Sequence, residues 1–410
     1  MVKTKLVRRI FKGFVVLALL VVVGLVVLLS SLWLERRTDV TLPAPTGSFA
    51  VGRSLYDCVE DTTLDALAPD PKTRRELLVW IWYPAAAQSG GVADSYVPAS
   101  VRAPANRLAR PLVGRLLTRD LSKVHGHSVR DPDVSPRQRS YPIIIMRAGA
   151  SAGVINYSTL AEDLASHGYV VLVFDASYRT MDVVFPDGRV IARTPENNPE
   201  LFSGEELTRR ANKLLTAWTA YIPFVLDHLE RLNAQDPSGK FTGRLDMTRV
   251  GVFGHSFGGA AAAQFCSQDS RCKAGIAVDG SLRGSVIRVG IHKPFMFILS
   301  GHGDFSSSAE TRQIMAEIQS VYDRLPPDGR LRIVIRGANH FTFSGDGALL
   351  KSRFVRGVLR LLAKLGIDGR RQLAVTAHCI HSFFDTYLKG GSVSRLKIES
   401  PRYPEIQVLE

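Results

Sequence analysis

A serine hydroxyl attacks a carbonyl at neutral pH only when the backbone presents it and a neighbouring imidazole takes its proton. The five residues Gly254-His255-Ser256-Phe257-Gly258 read Gly-x-Ser-x-Gly, between an apolar run at 250–253 and a small-residue run at 259–263. A strand that turns sharply into a helix at this point holds the serine at the apex, strained and exposed. The flanking glycines suit that bend, because a Cβ at either place collides with the adjoining strand or helix. The same five letters also describe a glycine-rich turn with an idle serine. The strand before, the helix after and a histidine downstream favour a nucleophile at Ser256.

In a fold built on such an elbow the chain order is serine, then acid, then histidine. His340 lies in the segment 336–341, just after an apolar run at 331–335, and is the candidate base. His255 precedes the serine and is expected to point elsewhere on the elbow. His292 and His302 come before the last strand, where this topology does not place the base. Two acids compete. Asp279 follows the run 274–278, one strand after the nucleophile; Asp304 follows the run 295–299, two strands after. Residue patterns leave both open, and topology alone leans to Asp304. The developing oxyanion needs two backbone N–H donors. One is expected from Phe257. The other is expected from Ala150, beyond Ala148-Gly149 in the loop after the run 141–146.

Elements that position these groups follow from periodicity. Residues 76–84 alternate and are rich in β-branched and aromatic side chains, which predicts a strand. Residues 141–146 and 169–174 are apolar throughout, as central parallel strands covered on both faces are. Further strands are expected at 250–253, 274–278, 295–299 and 331–335. Helices are expected at 157–166, 206–232, from the elbow to about 266, and at 308–324, 349–365 and 371–388. Strands alternating with helices predict an α/β fold, a mostly parallel central sheet with helices on both faces. Residues 85–140 read as loop-rich, and 175–205 as an excursion from the sheet.

Residues 14–34 carry no charge, and as a helix they span a hydrocarbon core of roughly 30 Å. Lys3, Lys5, Arg8, Arg9 and Lys12 precede them, while only Arg36 and Arg37 follow closely. The positive-inside rule therefore predicts a cytoplasmic segment at 1–13, a transmembrane anchor at 14–34 and the remainder outside the cytoplasm. A cleaved secretion signal is the alternative. Residues 35–48 read as a linker and 49–410 as one catalytic domain. Of 410 residues, 52 are Lys or Arg and 38 Asp or Glu, a net charge of +14. The excess does not point to nucleic acid. Five cations belong to the anchor. Residues 101–140, with nine cations against three acids, lack interleaved aromatics for base stacking. They suit either a face near an anionic bilayer or a solvated loop. Four cysteines are too few for a disulfide scaffold; Cys266 and Cys272 can close a small loop or stay as buried thiols, and Cys58 and Cys379 show no reason to pair. No metal-ligand spacing is evident and no cofactor is expected. The oligomeric state is not legible.

From about residue 49 to 389 the chain resembles the platelet-activating factor acetylhydrolase group of α/β hydrolases. The likeness rests on Val51-Gly52 with the strand ending Trp82-Tyr83-Pro84, on Asp163-Leu164-Ala165-Ser166-His167-Gly168-Tyr169, and on the elbow through Ala260. It rests also on Gly275-Ile276-Ala277-Val278-Asp279 and on Arg336-Gly337 with His340. The resemblance implies that Asp279, not Asp304, is the acid, and that no metal is needed. It implies hydrolysis of short-acyl esters, phospholipids with a short or oxidised sn-2 chain among them. The group usually has His-Gly at the oxyanion loop, where this chain has Ala148-Gly149. A broad carboxylesterase or polyester hydrolase, and a catalytically silent surface binding protein, are the competing expectations.

Overall fold

The computed structural model describes residues 2–86, 93–98, 101, 119–150, 152–179, 181–301, 309–361, 366–391 and 398–409. Its first element is helix α1 (Val2–Arg37), 36 residues long. Within it, Phe11–Arg37 is long and apolar enough to cross a membrane, with a mean hydropathy of 3.1 in its most apolar window. Only 6% of that window is buried, so this is not a core helix. The helix runs past residue 34 and ends at Arg37.

The strands are β1 (Val40–Thr41), β2 (Ala50–Leu64), β3 (Arg74–Ala85), β4 (Ala93–Ser95), β5 (Val124–Arg130), β6 (Tyr141–Arg147), β7 (Val170–Phe174), β8 (Val183–Val184), β9 (Val190–Ile191), β10 (Leu245–His255), β11 (Cys272–Val278), β12 (Phe295–Ser300), β13 (Arg330–Ile335) and β14 (Ile406–Val408). The principal helices after α1 are α2 (Ser158–Ser166), α3 (Gly204–Ala234), α4 (Phe257–Gln268), α5 (Ala309–Tyr322), α6 (Arg353–Leu361) and α7 (Gly369–Lys389). Strand order in the main sheet is β1-β5-β2-β3-β7-β6-β10-β11-β12-β13-β14, with β4 paired to β5. From β7 to β13 every neighbouring pair is parallel. β2, β3 and β7 pair antiparallel, and β14 closes the far edge antiparallel to β13.

Alternation explains why these runs are strands buried on both faces. Ile143 and Ile145 join one apolar cluster with Trp218 and Tyr221 of α3 and the alanines 260–263 of α4. Ile144 and Met146 join the other, with Leu160 of α2 and Phe383 and Phe384 of α7. The carboxyl ends of β6, β10, β11, β12 and β13 then meet along one side of the sheet. That is where the fold collects loops able to do chemistry.

Three expectations need correction. The segment expected as a linker is docked: Val40 pairs with Val124, Leu42 is buried, and Thr46 N–H donates to Asp163 Oδ1 at 2.8 Å. The loop-rich segment contains β4 and β5. Among its described cations, Arg119 pairs with Glu35 at 3.0 Å and Arg130 with Asp94 at 3.2 Å; Arg102, Arg107, Arg110 and Arg115 lie outside the described residues. The helix expected at 349–365 is instead a single turn, Asp346–Leu349, followed by α6. Ser352 breaks it by capping the new helix, its Oγ accepting from Val355 N–H at 3.2 Å. Val51-Gly52 lies at the start of β2, which is 15 residues long. Cys266 and Cys272 are joined in a disulfide, while Cys58 and Cys379 are buried free thiols.

Candidate active site

The elbow has the geometry its sequence requires. Ser256 stands between β10 and α4 with φ +56° and ψ −125°, outside the regions L-residues favour. A Cβ at Gly254 would lie 2.2 Å from Gly258 O, and one at Gly258 2.4 Å from Arg147 O. Neither position accepts a side chain without moving the strand or helix. Ser256 N–H donates to Val278 O at 2.9 Å, which pins the bend to β11.

Asp279 follows β11 directly and is the second strained residue, at φ +49°. Conformations of this kind cost about 1–3 kcal/mol each and persist where surrounding bonds over-determine them. Here the bonds are Asp279 N–H to Ile298 O at 2.7 Å, and Ser300 N–H and Oγ–H to Asp279 Oδ1, both at 2.8 Å. Ser300, the last residue of β12, thereby fixes the carboxylate. It was not singled out from sequence, although a lone serine closing the apolar run 295–299 is the available signal. His340 opens a short turn, His340–Phe343, capped by Asn339, whose side chain accepts from Phe341 N–H at 3.0 Å.

These loops bring three side chains into one line. His340 Nδ1 lies 2.9 Å from Asp279 Oδ2, and His340 Nε2 lies 2.9 Å from Ser256 Oγ. An ionised carboxylate only accepts, so the imidazole proton belongs on Nδ1 and Nε2 is left to accept from the serine hydroxyl. Asp279 is largely buried, with 9% of its side chain exposed, whereas 35% of His340 is open toward the site. Asp304 and His302 lie outside the described residues.

A cavity of about 270 Å³ opens over Ser256. Ala150, Phe257, Leu214, Arg179, Glu200 and Arg283 are among the residues that line it. The Ala150 and Phe257 amides have no hydrogen-bond partner among the described residues, and both residues flank Ser256 in this one cavity. Arg179 donates to Ala150 O at 3.2 Å and to Glu200 at 2.9 and 3.1 Å, so the excursion at 175–205 returns to brace the loop and wall the cavity. Burial lowers the Arg179 pKa from its ordinary value, with Glu200 opposing.

His255 points elsewhere than at the serine hydroxyl, as expected, and its partners are specific. Its Nε2 is 2.9 Å from His340 O and its Nδ1 2.9 Å from Tyr157 Oη, beneath the site. Burial first, and the nearby His340 ring second, push its pKa down to about 3. It is a neutral structural partner of His340. Tyr157 was likewise not identified from sequence.

Comparison with known proteins agrees with this architecture. A solved ferulic acid esterase from Streptomyces cinnamoneus superposes with a TM-score of 0.72 over 90% of this chain and 99% of that one, at 25% identity. The shared fold is the α/β hydrolase. A probable 1-alkyl-2-acetylglycerophosphocholine esterase of Arthroderma benhamiae is 26% identical over 284 residues, 66% of each chain. A platelet-activating factor acetylhydrolase of Cavia porcellus is 29% identical over 270 residues, 60% of this chain and 58% of that protein. The chain thus matches these curated relatives over roughly three fifths to two thirds of their length. The family described as platelet-activating factor acetylhydrolase, isoform II, matches residues 35–181 and 230–392. Its match skips 182–229, which supplies Pro199, Glu200, Leu207, Ala211 and Leu214 to the cavity wall. The matched segments hold Ser256, Asp279, His340 and the strands beneath them, and on that extent of agreement the chain belongs to the platelet-activating factor acetylhydrolase isoform II family.

Proposed function

We propose that this chain is a serine hydrolase cleaving carboxylic esters of lipid-like substrates, phospholipids with a short or oxidised acyl chain among them. The observation that carries the reading is the line Ser256–His340–Asp279, closed at 2.9 Å on both sides of the imidazole. Ser256 Oγ attacks the ester carbonyl as His340 Nε2 takes its proton. Asp279 holds the imidazole in the accepting tautomer and stabilises the cation that forms. The oxyanion is received by the N–H groups of Ala150 and Phe257. The imidazolium protonates the leaving alcohol, and an acyl ester remains on Ser256. Water, deprotonated by His340, then attacks that ester; collapse releases the acid and returns the proton to Ser256. Every step moves a proton or an acyl group that these residues can hold, and no cofactor enters.

α1 serves as the membrane anchor in this reading. The cations before residue 14 keep the N-terminus in the cytoplasm, and the catalytic domain, residues 49–410, works outside it. The Cys266–Cys272 disulfide supports an oxidising compartment. Glu35, near the end of α1, accepts from Arg353 N–H at 3.0 Å and from Arg119, tying the domain to the membrane boundary. There α6 exposes Phe354, Val358 and Leu361 beside its arginines, a composition suited to a lipid surface.

The ferulic acid esterase neighbour favours a second reading, a broader carboxylesterase. Fluorophosphonate labelling, followed by rates on acetyl-phospholipid and on aryl esters of increasing acyl length, separates the two. A phospholipid preference supports the first reading and an aryl preference the second. Absence of labelling would leave only a silent binding protein. Arg283 sharpens the comparison. It faces the cavity with no ion-pair or hydrogen-bond partner among the described residues, so its charge is available to a phosphate. Arg283→Gln is expected to lower kcat/KM on acetyl-phospholipid about 10-fold while changing that on p-nitrophenyl acetate by less than about 2-fold. Equal losses on both esters would assign Arg283 a role in folding instead.

A further inference from the structure

Atoms that can only accept or only donate fix the direction of a buried hydrogen-bond chain. The His340 carbonyl can only accept, and it lies 2.9 Å from His255 Nε2. Nε2 therefore carries the proton of this neutral ring, and Nδ1 must accept. Its partner at 2.9 Å, Tyr157 Oη, must then donate. Gly149 N–H can only donate, and it meets a lone pair of that same oxygen at 3.2 Å. One assignment satisfies all four groups: Gly149 N–H to Tyr157 Oη, Tyr157 Oη–H to His255 Nδ1, His255 Nε2–H to His340 O.

The two ends of this chain matter. Gly149 immediately precedes Ala150, the loop residue on the oxyanion side. The other end is the peptide carbonyl of the base itself. The middle member is the residue just before Ser256, so the chain runs beneath the nucleophile. Packing is close enough to transmit a shift: a Cβ at Gly149 would stand 3.0 Å from His255 Nδ1 and 3.4 Å from Ser256 Cβ. Tyr157 and His255 are both buried, so water does not compete for these bonds.

Resting on the serine-esterase reading above, we propose that Tyr157 and His255 are positioning residues that couple the loop of Ala150 to the loop of His340, so that oxyanion donor and base are held as one unit around Ser256. They touch no substrate. They act by keeping two loops from separate parts of the chain at one spacing, to which transition-state stabilisation is sensitive.

The test is a double-mutant cycle on the full-length protein with p-nitrophenyl acetate, the thermal midpoint being recorded for each variant. Tyr157→Phe removes one oxygen and is expected to lower kcat about 10-fold with KM changed by less than about 2-fold. His255→Gln keeps a donor near the Nε2 position and gives up the acceptor; His255→Asn does the converse. Both are expected to lower kcat similarly, since either break uncouples the loops. Tyr157→Phe with His255→Gln should fall no further than the worse single variant, because the members act through one link. An unchanged kcat in Tyr157→Phe, a loss confined to KM, or single losses that multiply in the double variant would overturn the coupling. If the His255 variants fail to fold, the kcat and KM of Tyr157→Phe decide alone. Failure here leaves wild-type turnover and labelling of Ser256 untouched, whereas failure of the esterase reading removes both.

Discussion

Ser256→Ala is expected to abolish ester turnover, lowering kcat at least about 10⁴-fold, with the fold intact. The size follows from the geometry. No other hydroxyl is placed 2.9 Å from His340 Nε2 among the described residues, so the acyl-enzyme route closes. What remains is binding and the two amides proposed to receive the oxyanion, which assist only a direct attack by water. The fold should survive, because alanine keeps the Cβ and meets the same backbone at φ +56°. One partly buried hydrogen bond is lost, worth about 1 kcal/mol. Turnover of p-nitrophenyl acetate, fluorophosphonate labelling and the thermal midpoint, measured together, check the prediction. A variant that melts normally and still turns over at the wild-type rate would remove Ser256 from the chemistry. Loss of both turnover and cooperative melting would call for Ser256→Gly as a second variant, judged by the same three measurements.

What could be read in the sequence depended on how local the cause was. The runs 143–145 and 170–174 announce strands because both faces of a central parallel strand are covered, so composition alone carries the signal. The elbow is legible for a similar reason, since its glycines answer a clash within a few residues of themselves. β5 was missed because its polar residues find partners elsewhere in the chain: His125 meets Asp39 at 2.9 Å, and Ser128 N–H meets Glu162 Oε1 at 3.0 Å. The expected linker fails likewise. Thr46 and Gly47 look free until α2 supplies Asp163 and Ser166, more than a hundred positions away. The direction of His255 depends on a tyrosine 98 residues earlier and on the base loop, and nothing in the elbow records either. The acid is an intermediate case. Two aspartates follow adjacent apolar runs in the sequence, and residue patterns do not separate them; the family resemblance chose Asp279. The strained φ of Asp279 and the two Ser300 bonds that fix its carboxylate are visible only in coordinates.

Asp279→Asn is expected to lower kcat by about 10³- to 10⁴-fold, with KM little altered. The tautomer of His340 decides the size of the loss. The carboxylate accepts from His340 Nδ1–H at 2.9 Å, leaving Nε2 bare toward Ser256. An asparagine keeps Oδ1 as an acceptor for Ser300 N–H and Oγ–H, so its amide nitrogen turns toward the imidazole. That nitrogen donates, which favours the ring proton on Nε2, where the imidazole can no longer take the serine proton. The stabilising charge beside the imidazolium disappears as well. Substrate contacts are untouched, which is why the loss falls on kcat. Asp304→Asn supplies the contrast: His340 Nδ1 has one in-plane site, already filled by Asp279, so turnover should stay within about 2-fold of wild type. Steady-state kinetics on p-nitrophenyl acetate for the two variants, side by side, decide the matter. A collapse in Asp304→Asn with Asp279→Asn near wild type would transfer the acid to Asp304 and leave Asp279 as a carboxylate that only shapes the turn after β11.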